Sequence, residues 1–316
     1  MPEVVRYRSP DEDSARWAGF PFRDGDIVIS TRSKSGTTWL QMICALLVFQ
    51  TPRLPDSLGN LSPWLDWLVA PRDQVVAHLE QQRHRRFIKT HTPLDGLPLD
   101  PRAAFVVVAR HPLDIAVSLY HHSRNIDRTR LQELTGRVHA ADDRAPRLPL
   151  HEWLVGWIEW QGSPSQELDS LPGVLWHFSD AWSRRSMHNV HLVHYADLST
   201  NLEESMRALA TQLDFDVPDD RWPDIVGAAS FERMRARADV LIDPVGVLKD
   251  RTGFFRRGIT GEAREHLSAE ELARYHVRAE TLAPPDLLAW LHRRPPRLLQ
   301  SSTPGGAVTP SRVEHR

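Results

Sequence analysis

Cysteine is almost missing from this chain: there is one, Cys44, in 316 residues. A lone thiol forms no internal disulfide, and its place in the apolar run "WLQMICALLVF" makes it a small core residue rather than a reactive group. Without a disulfide framework to suggest export, the cytoplasm is the expected compartment. A long apolar stretch is absent as well. Met1 to Pro10 holds no uninterrupted h-region, and the longest apolar segment, near Ile43 to Phe49, falls far short of the ~20 residues of a membrane span. Neither charge is in excess: 39 basic side chains against 41 acidic leave a net charge of -2. The overall surface therefore has no pull toward nucleic acid, and any anion site must be local. Internal repeats and a clean linker are also missing, which favours a single domain over residues 1–292.

What remains is a composition of 41% apolar and 25% charged residues, ordinary for a globular, enzyme-sized domain. The final stretch "RRPPRLLQSSTPGGAVTPSRVEHR" is rich in Pro, Ser, Gly and Arg, so residues 293–316 read as a disordered tail. Short continuous apolar runs at Asp26–Ser30, Arg86–Thr90, Ala103–Ala109 and Val190–Tyr195 have the character of buried parallel strands. The first, third and fourth lead directly into amphipathic helical segments. Repeated strand-then-helix order predicts an α/β fold, a single-domain parallel β-sheet flanked by helices. Pro112 stands at the first turn of the helix after the third strand, and Thr200 with Glu203 has the spacing of a capping box after the fourth. Between Ser123 and Leu150, Arg, Asp, Pro and His mix without clear periodicity, which suggests a long surface excursion or a lid.

In open parallel sheets, ligands gather outside the carboxyl ends of the strands. That rule selects Lys34, Ser35, Gly36, Thr37 and Thr38 after the first strand, Lys89 and His91 after the second, and Arg110 and Ser118 after the third. All would lie on one edge. In "STRSKSGTTW", unpaired N–H groups at a helix start favour an anion, Gly36 lets the backbone approach it, and Lys34 adds a full charge. The alternative is that Ser35 or Thr37 merely caps the helix while Lys34 is solvated. The stretch is not a Walker A loop, because its lysine precedes its only glycine. His91 could accept a proton from a hydroxyl nucleophile, with the neighbouring lysines keeping it neutral. Arg110 and Ser118 could grip a second phosphate; Arg110 alone would more readily pair with a carboxylate such as Asp114. Three histidines in "HNVHLVH" invite a metal reading, but alternate residues of a strand share a face, so His191 opposes His188 and His194. No metal is expected there.

At this point four segments, in order, resemble motifs of the cytosolic-type sulfotransferase family, which uses 3'-phosphoadenosine-5'-phosphosulfate (PAPS). "SKSGTTW" is similar to the family's 5'-phosphosulfate loop, "KTHTPL" to its catalytic-histidine segment, "ARHPLDIAVS" to its 3'-phosphate segment and "FFRRGITGE" to its late Arg-rich loop. They span Ser33 to Glu262. The resemblance implies a P-loop-nucleotide-hydrolase-like sulfotransferase fold in which Lys34, Ser35, Gly36, Thr37 and Thr38 hold the 5'-phosphosulfate and Trp39 stacks on the adenine. It further implies that Arg110, Ser118, Arg256, Arg257 and Gly258 bind the 3'-phosphate, and that Tyr195, Ser230, Phe231 and Met234 surround the adenine. His91 would be the base, with Lys89 and Lys34 stabilising the transferring group and the leaving phosphate. No metal is required, and adenosine 3',5'-bisphosphate (PAP) would be released.

The sequence also departs from the family pattern. Ser33 stands where a proline is common, Arg32 replaces an aromatic, His111 replaces an asparagine, and Ala263 replaces a tryptophan. A less rigid loop would follow from the first two. "REHLSAEELA" lacks the family's small dimer contact, leaving the oligomeric state open. For the acceptor, Trp64, Trp67, Trp153, Trp157, Trp160 and Trp176 enter regions that in this family line or border the acceptor side. Aromatic walls suit sugars as well as phenols or sterols. The spread of "HRRFIKTHTPLDGL", "SPWLD" and "LAPPDLLAW" is similar to bacterial glycolipid sulfotransferases, so a hydrophobic, lipid-linked sugar hydroxyl is the first expectation and a small phenol or alcohol the second. Transient contact with lipid would fit such an acceptor. Two rivals are a P-loop-type nucleotide kinase and a non-catalytic nucleotide-binding regulator on the same fold.

Overall fold

The computed structural model describes residues 4–136, 148–242, 245–256, 258 and 260–293. Strands β1 (Ile27–Ser30), β2 (Phe87–Thr90), β3 (Ala104–Ala109) and β4 (Val190–His194) form one sheet in the order β2-β1-β3-β4. Every neighbouring pair is parallel; Ile27 faces Phe87 on one side of β1 and Ala104 on the other, and Phe105 faces Val190. The apolar runs continue without polar interruption because both faces of the sheet are covered. Val28, Phe105 and Val107 join a core on one face, while Ile27, Ile29, Val106 and Val108 join a second core on the other.

The second core is closed by the helix Thr37–Phe49 with Leu202–Gln212 and Trp222–Ala229. The first is closed by Pro112–Asn125, Leu150–Glu159, Leu171–Ser183, Ala269–Glu280 and Pro285–Leu291. Cys44 is buried in the second core, and burial pushes its thiol up to about 12. That suits the packing role its position predicts. No helix among the described residues is long and apolar enough to cross a membrane.

Pro112 opens its helix as expected, preceded by His111, whose side chain accepts from the Leu113 N–H. The capping box expected at Thr200 and Glu203 does not form. Tyr195–Thr200 is a short helix of its own, Thr200 Oγ1 donates to the Ala196 carbonyl inside it, and the next helix starts after Asn201 with no side-chain cap. The box occurs instead at Ser268 and Glu271, at the start of Ala269–Glu280. The stretch read as an excursion is partly helical: Ser123–Asn125 ends one helix, Arg128–Thr135 is another capped by Asp127, and Leu150 begins a third. Residues 137–147 of that stretch and 294–316 of the expected tail lie outside the described residues.

β1 sits between β2 and β3, so the chain leaves it at the point where the strand order reverses. A crevice opens at the carboxyl end of such a strand. The loop Thr31–Gly36 runs straight into it.

Candidate active site

Two adjoining cavities lie at that edge. The smaller, of about 210 Å³, is lined by Lys34, Gly36, Thr37, Thr38, Trp39, Lys89, His91, Arg110, Ser118, Tyr195, Phe231, Met234, Arg256 and Gly258. Residues more than 200 positions apart in the chain thus meet in one crevice. Two of the expected set do not line it: Ser35 is buried beneath the loop with its Oγ unpartnered among the described residues, and Ser230 caps the helix Phe231–Ala236. Arg257 lies outside the described residues.

The loop is built to leave backbone N–H groups open. Gly36 is the N-cap of the Thr37 helix and offers no side chain to the first turn, and Thr37 Oγ1 is bonded to Thr31 Oγ1 at 2.5 Å. Neither Ser35 nor Thr37 therefore acts as a cap, and the positive end of a 13-residue helix faces the cavity. Gly36 has φ 121°, and a Cβ there would come within 3.0 Å of the Tyr195 ring. Only glycine combines that conformation with that contact.

Lys34 holds a left-handed backbone, φ 65°, which turns its ammonium to 3.8 Å from the centre of the Phe254 ring. Burial lowers its pKa to about 7, with Arg110 and Lys89 pushing the same way. Lys89 lies 3.8 Å over Trp64, and burial lowers it to about 8. Arg110 donates to the Lys34 carbonyl at 3.2 Å and spreads over the Tyr195 ring at 4.4 Å. Trp39 donates from Nε1 to the Ala229 carbonyl at 2.8 Å and meets Tyr195 edge-on. Arg256 is paired with Glu262, which fixes its guanidinium at the cavity wall.

His91 is buried, edge-on to Trp64 at 4.7 Å. Its Nδ1 is bonded to the Thr31 carbonyl, an acceptor only, so Nδ1 carries the proton and Nε2 presents a lone pair. Burial holds its pKa well below the ordinary value; Lys89 and Arg32 add to this. Lysine repulsion was the expected cause of neutrality, but desolvation is the larger one.

Of the three residues that position this histidine, Asp66 and Asp169 were not singled out from sequence, and Arg32 was noted only as a departure that loosens the loop. Arg32 is 2% exposed, donates to the His91 carbonyl, and is held by Asp169 at 2.8 Å. The loop that lacks the usual proline is thus pinned by an ion pair across the site. Asp66, fully buried, accepts from Thr90 Oγ1 at 2.5 Å and Thr92 Oγ1 at 2.6 Å, on either side of His91. Burial raises its pKa.

The larger cavity, of about 1170 Å³, shares Ser33, Thr38, Trp64, Lys89, His122 and Phe254 with the smaller one. Its lining includes Glu12, Glu167 and Asp169 together with Trp64 and Trp67, whose rings stack at 4.9 Å. It also includes the aliphatic side chains of Leu119, Ile126, Leu131, Leu241, Val247 and Leu248. Trp153, Trp157 and Trp160 line the wall as expected. Trp176 does not: it is 42% exposed and donates to the Tyr7 hydroxyl at 2.8 Å, away from the cavity. Among the described residues no group of three or more His, Cys, Asp or Glu is placed to hold a metal ion.

A family model described as the sulfotransferase domain matches residues 24–283. A glycolipid sulfotransferase of Mycobacterium bovis is 40% identical over 311 residues, covering 92% of this chain and 95% of its own length. The glycolipid sulfotransferase of Mycobacterium tuberculosis matches to the same extent. The amine sulfotransferase of Oryctolagus cuniculus is 23% identical over 271 residues, 81% of this chain and 80% of its own. Among solved structures, a mouse sulfotransferase complexed with PAP has a TM-score of 0.66 at 19% identity, covering 88% of this chain and 90% of that one. Retinol dehydratase in complex with androsterone and inactive cofactor PAP gives 0.65 at 20% identity, covering 90% and 86%. These two likenesses concern the fold.

Proposed function

The chain belongs to the sulfotransferase family, and we propose that it transfers the sulfuryl group of PAPS to a hydroxyl of a glycolipid, releasing PAP. One observation carries the reading: a cationic cavity and a larger, aromatic and aliphatic one meet at Lys89 and Trp64, beside His91. The donor occupies the first, with its 5'-phosphosulfate on the Thr37 helix start and its 3'-phosphate near Arg110, Ser118 and Arg256. The acceptor occupies the second. Carboxyl groups and stacked indoles in its lining match sugar hydroxyls and the C–H face of a ring, and its aliphatic side chains match an alkyl chain. The relatives named for glycolipid sulfation support this over a small phenol. A single domain over residues 1–292 in the cytoplasm fits the two cores around one sheet and the lone buried thiol.

His91 Nε2 takes the proton of the acceptor hydroxyl as its oxygen attacks sulfur in line. The bond from sulfur to the 5'-phosphate oxygen breaks, and Lys34 and Lys89 stabilise the charge that collects on that oxygen. Alignment and electrostatics supply the catalysis, by analogy with phosphoryl transfer. The anionic donor also offsets the lysine charges around His91, raising its pKa toward a useful range.

The lysines give this reading a signature. Above pH 7 the free protein holds Lys34 largely neutral, and above 8 Lys89 as well. A bound anion raises both, so binding takes up more protons as pH rises: close to none at pH 6 and about 1.4 per PAP at pH 8, ~0.9 at Lys34 and ~0.5 at Lys89. Calorimetry of PAP binding in two buffers of different ionisation enthalpy measures this, and kcat/KM for PAPS should fall above pH 7 as Lys34 loses its proton, and more steeply above pH 8 as Lys89 follows. Uptake that is absent at pH 8 would remove both lysines from the donor site.

The activity is tested by incubating the protein with ³⁵S-labelled PAPS and a lipid-plus-metabolite extract, then identifying labelled products by mass. Labelled glycolipid is expected. Label confined to small phenols would overturn the acceptor, and transfer of ³²P from ATP with Mg²⁺ but no ³⁵S from PAPS would overturn the donor.

A further inference from the structure

We propose that His122 determines acceptor specificity by hydrogen-bonding a second hydroxyl adjacent to the one that is sulfated, so that the enzyme selects diols, as sugars present, over simple alcohols and phenols. The inference rests on the larger cavity being the acceptor site. His122 lies on the helix Pro112–Asn125, one turn beyond Ser118 and so ~6 Å further along its axis. That helix is a wall common to both cavities: Ser118 lines the smaller, Leu119 and Ser123 line the larger, and His122 lines both. Whatever His122 holds is therefore next to the point of transfer.

The ring is available for such a bond. Its edge packs on Phe254 at 5.6 Å between centroids, and Nδ1 is shielded with no hydrogen-bond partner among the described residues. A buried imidazole nitrogen left unpaired is costly, and a ligand hydroxyl is the natural group to meet the ring, at Nε2 directly or at Nδ1 after a turn about χ2. Burial and the facing Lys34 and Lys89 hold the imidazole neutral, with one donor and one acceptor. That is the pattern a hydroxyl complements. Glu167 and Asp169, which line the same cavity, offer acceptors to further hydroxyls of a sugar, and Glu12, which burial raises to about 8, can donate as well. A phenol or a monohydric alcohol would leave His122 unpaired, which is how a polar site rejects an analogue lacking a hydroxyl.

The test uses ³⁵S-PAPS with 1-octanol, 1,2-octanediol and octyl glucoside as acceptors, for wild type, His122→Phe and His122→Gln, with PAP binding measured calorimetrically in each. Wild type should favour the diol over octanol in kcat/KM by about tenfold or more. His122→Phe, which keeps the aromatic volume, should collapse that preference, and His122→Gln should restore part of it while PAP affinity stays the same. An unchanged preference in His122→Phe, or an equal loss on both acceptors, overturns the assignment while transfer to octyl glucoside leaves the glycolipid reading standing. If wild type binds PAP but labels none of the three carriers, the acceptor reading falls and the role of His122 with it.

Discussion

Replacing His91 with alanine should reduce kcat by about 100- to 10,000-fold, roughly 2.7–5.4 kcal/mol in barrier, while leaving PAP affinity close to wild type. The size follows from how much of the surroundings is committed to this ring. The Thr31 carbonyl fixes its tautomer, Arg32 clamps its backbone carbonyl, and Asp66 ties Thr90 and Thr92 on either side. A proton acceptor oriented from three directions is in place before the acceptor arrives, so its removal withdraws a transition-state interaction rather than a ground-state one. In the proposed reading the donor contacts belong to other residues, which is why binding and transfer should separate. Single-turnover transfer of ³⁵S and calorimetric titration of PAP check the two halves. A His91→Ala protein that keeps full transfer would show that another group is the base; one that no longer binds PAP would show that His91 supports the donor site instead.

The parts of this site that were legible in the sequence are those encoded locally. The strands could be read because both faces of the sheet are buried, so their apolar runs are continuous. The loop of Lys34 and Gly36 was legible because a lysine and a glycine between strand and helix carry a geometric meaning. Trp153, Trp157 and Trp160 were placed on the acceptor side by the family resemblance; Trp153 and Trp157 stand one turn apart on the helix Leu150–Glu159, Trp160 is its C-cap, and all three line the cavity. What stayed hidden depends on pairing at long range. Nothing near Arg32 announces that its partner is Asp169, 137 residues away, and nothing near Asp66 announces the threonines around His91. Without those partners, Arg32 reads as a loosening of the loop, whereas in the fold it tightens it. Trp176 was misjudged for a related reason: composition does not reveal which side of the helix Leu171–Ser183 faces the core. The Thr200 capping box failed because the chain breaks at Asn201, making Thr200 the end of one helix instead of the cap of the next.

At the opposite end of the sheet, Asp26→Ala should destabilise the protein by about 3–5 kcal/mol without weakening PAP binding by the folded form. Asp26 and Arg86 stand at the amino ends of β1 and β2 with side chains 2% and 1% exposed. Arg86 Nε donates to Asp26 Oδ1 at 2.8 Å and Nη2 bonds Oδ2, a bidentate pair. Pro21 accepts from the same Nη2 at 2.9 Å, and Phe20 lies under the guanidinium at 5.2 Å. Nη1 has no partner among the described residues, so the carboxylate is the principal compensation for a buried cation. Removing it leaves that cation uncompensated, whereas removing both charges with apolar groups of similar size does not. Asp26→Leu combined with Arg86→Met should therefore recover most of the loss. The urea midpoints of wild type, single and double variants decide this: a single variant within about 1 kcal/mol of wild type, or a double variant as unstable as the single, refutes it. Donor binding should persist because β1 separates Asp26 from the loop of Lys34 by four residues, ~13 Å of extended chain. The amino ends of β1 and β2 then hold the sheet together while their carboxyl ends are free to carry strained backbone and partly discharged lysines.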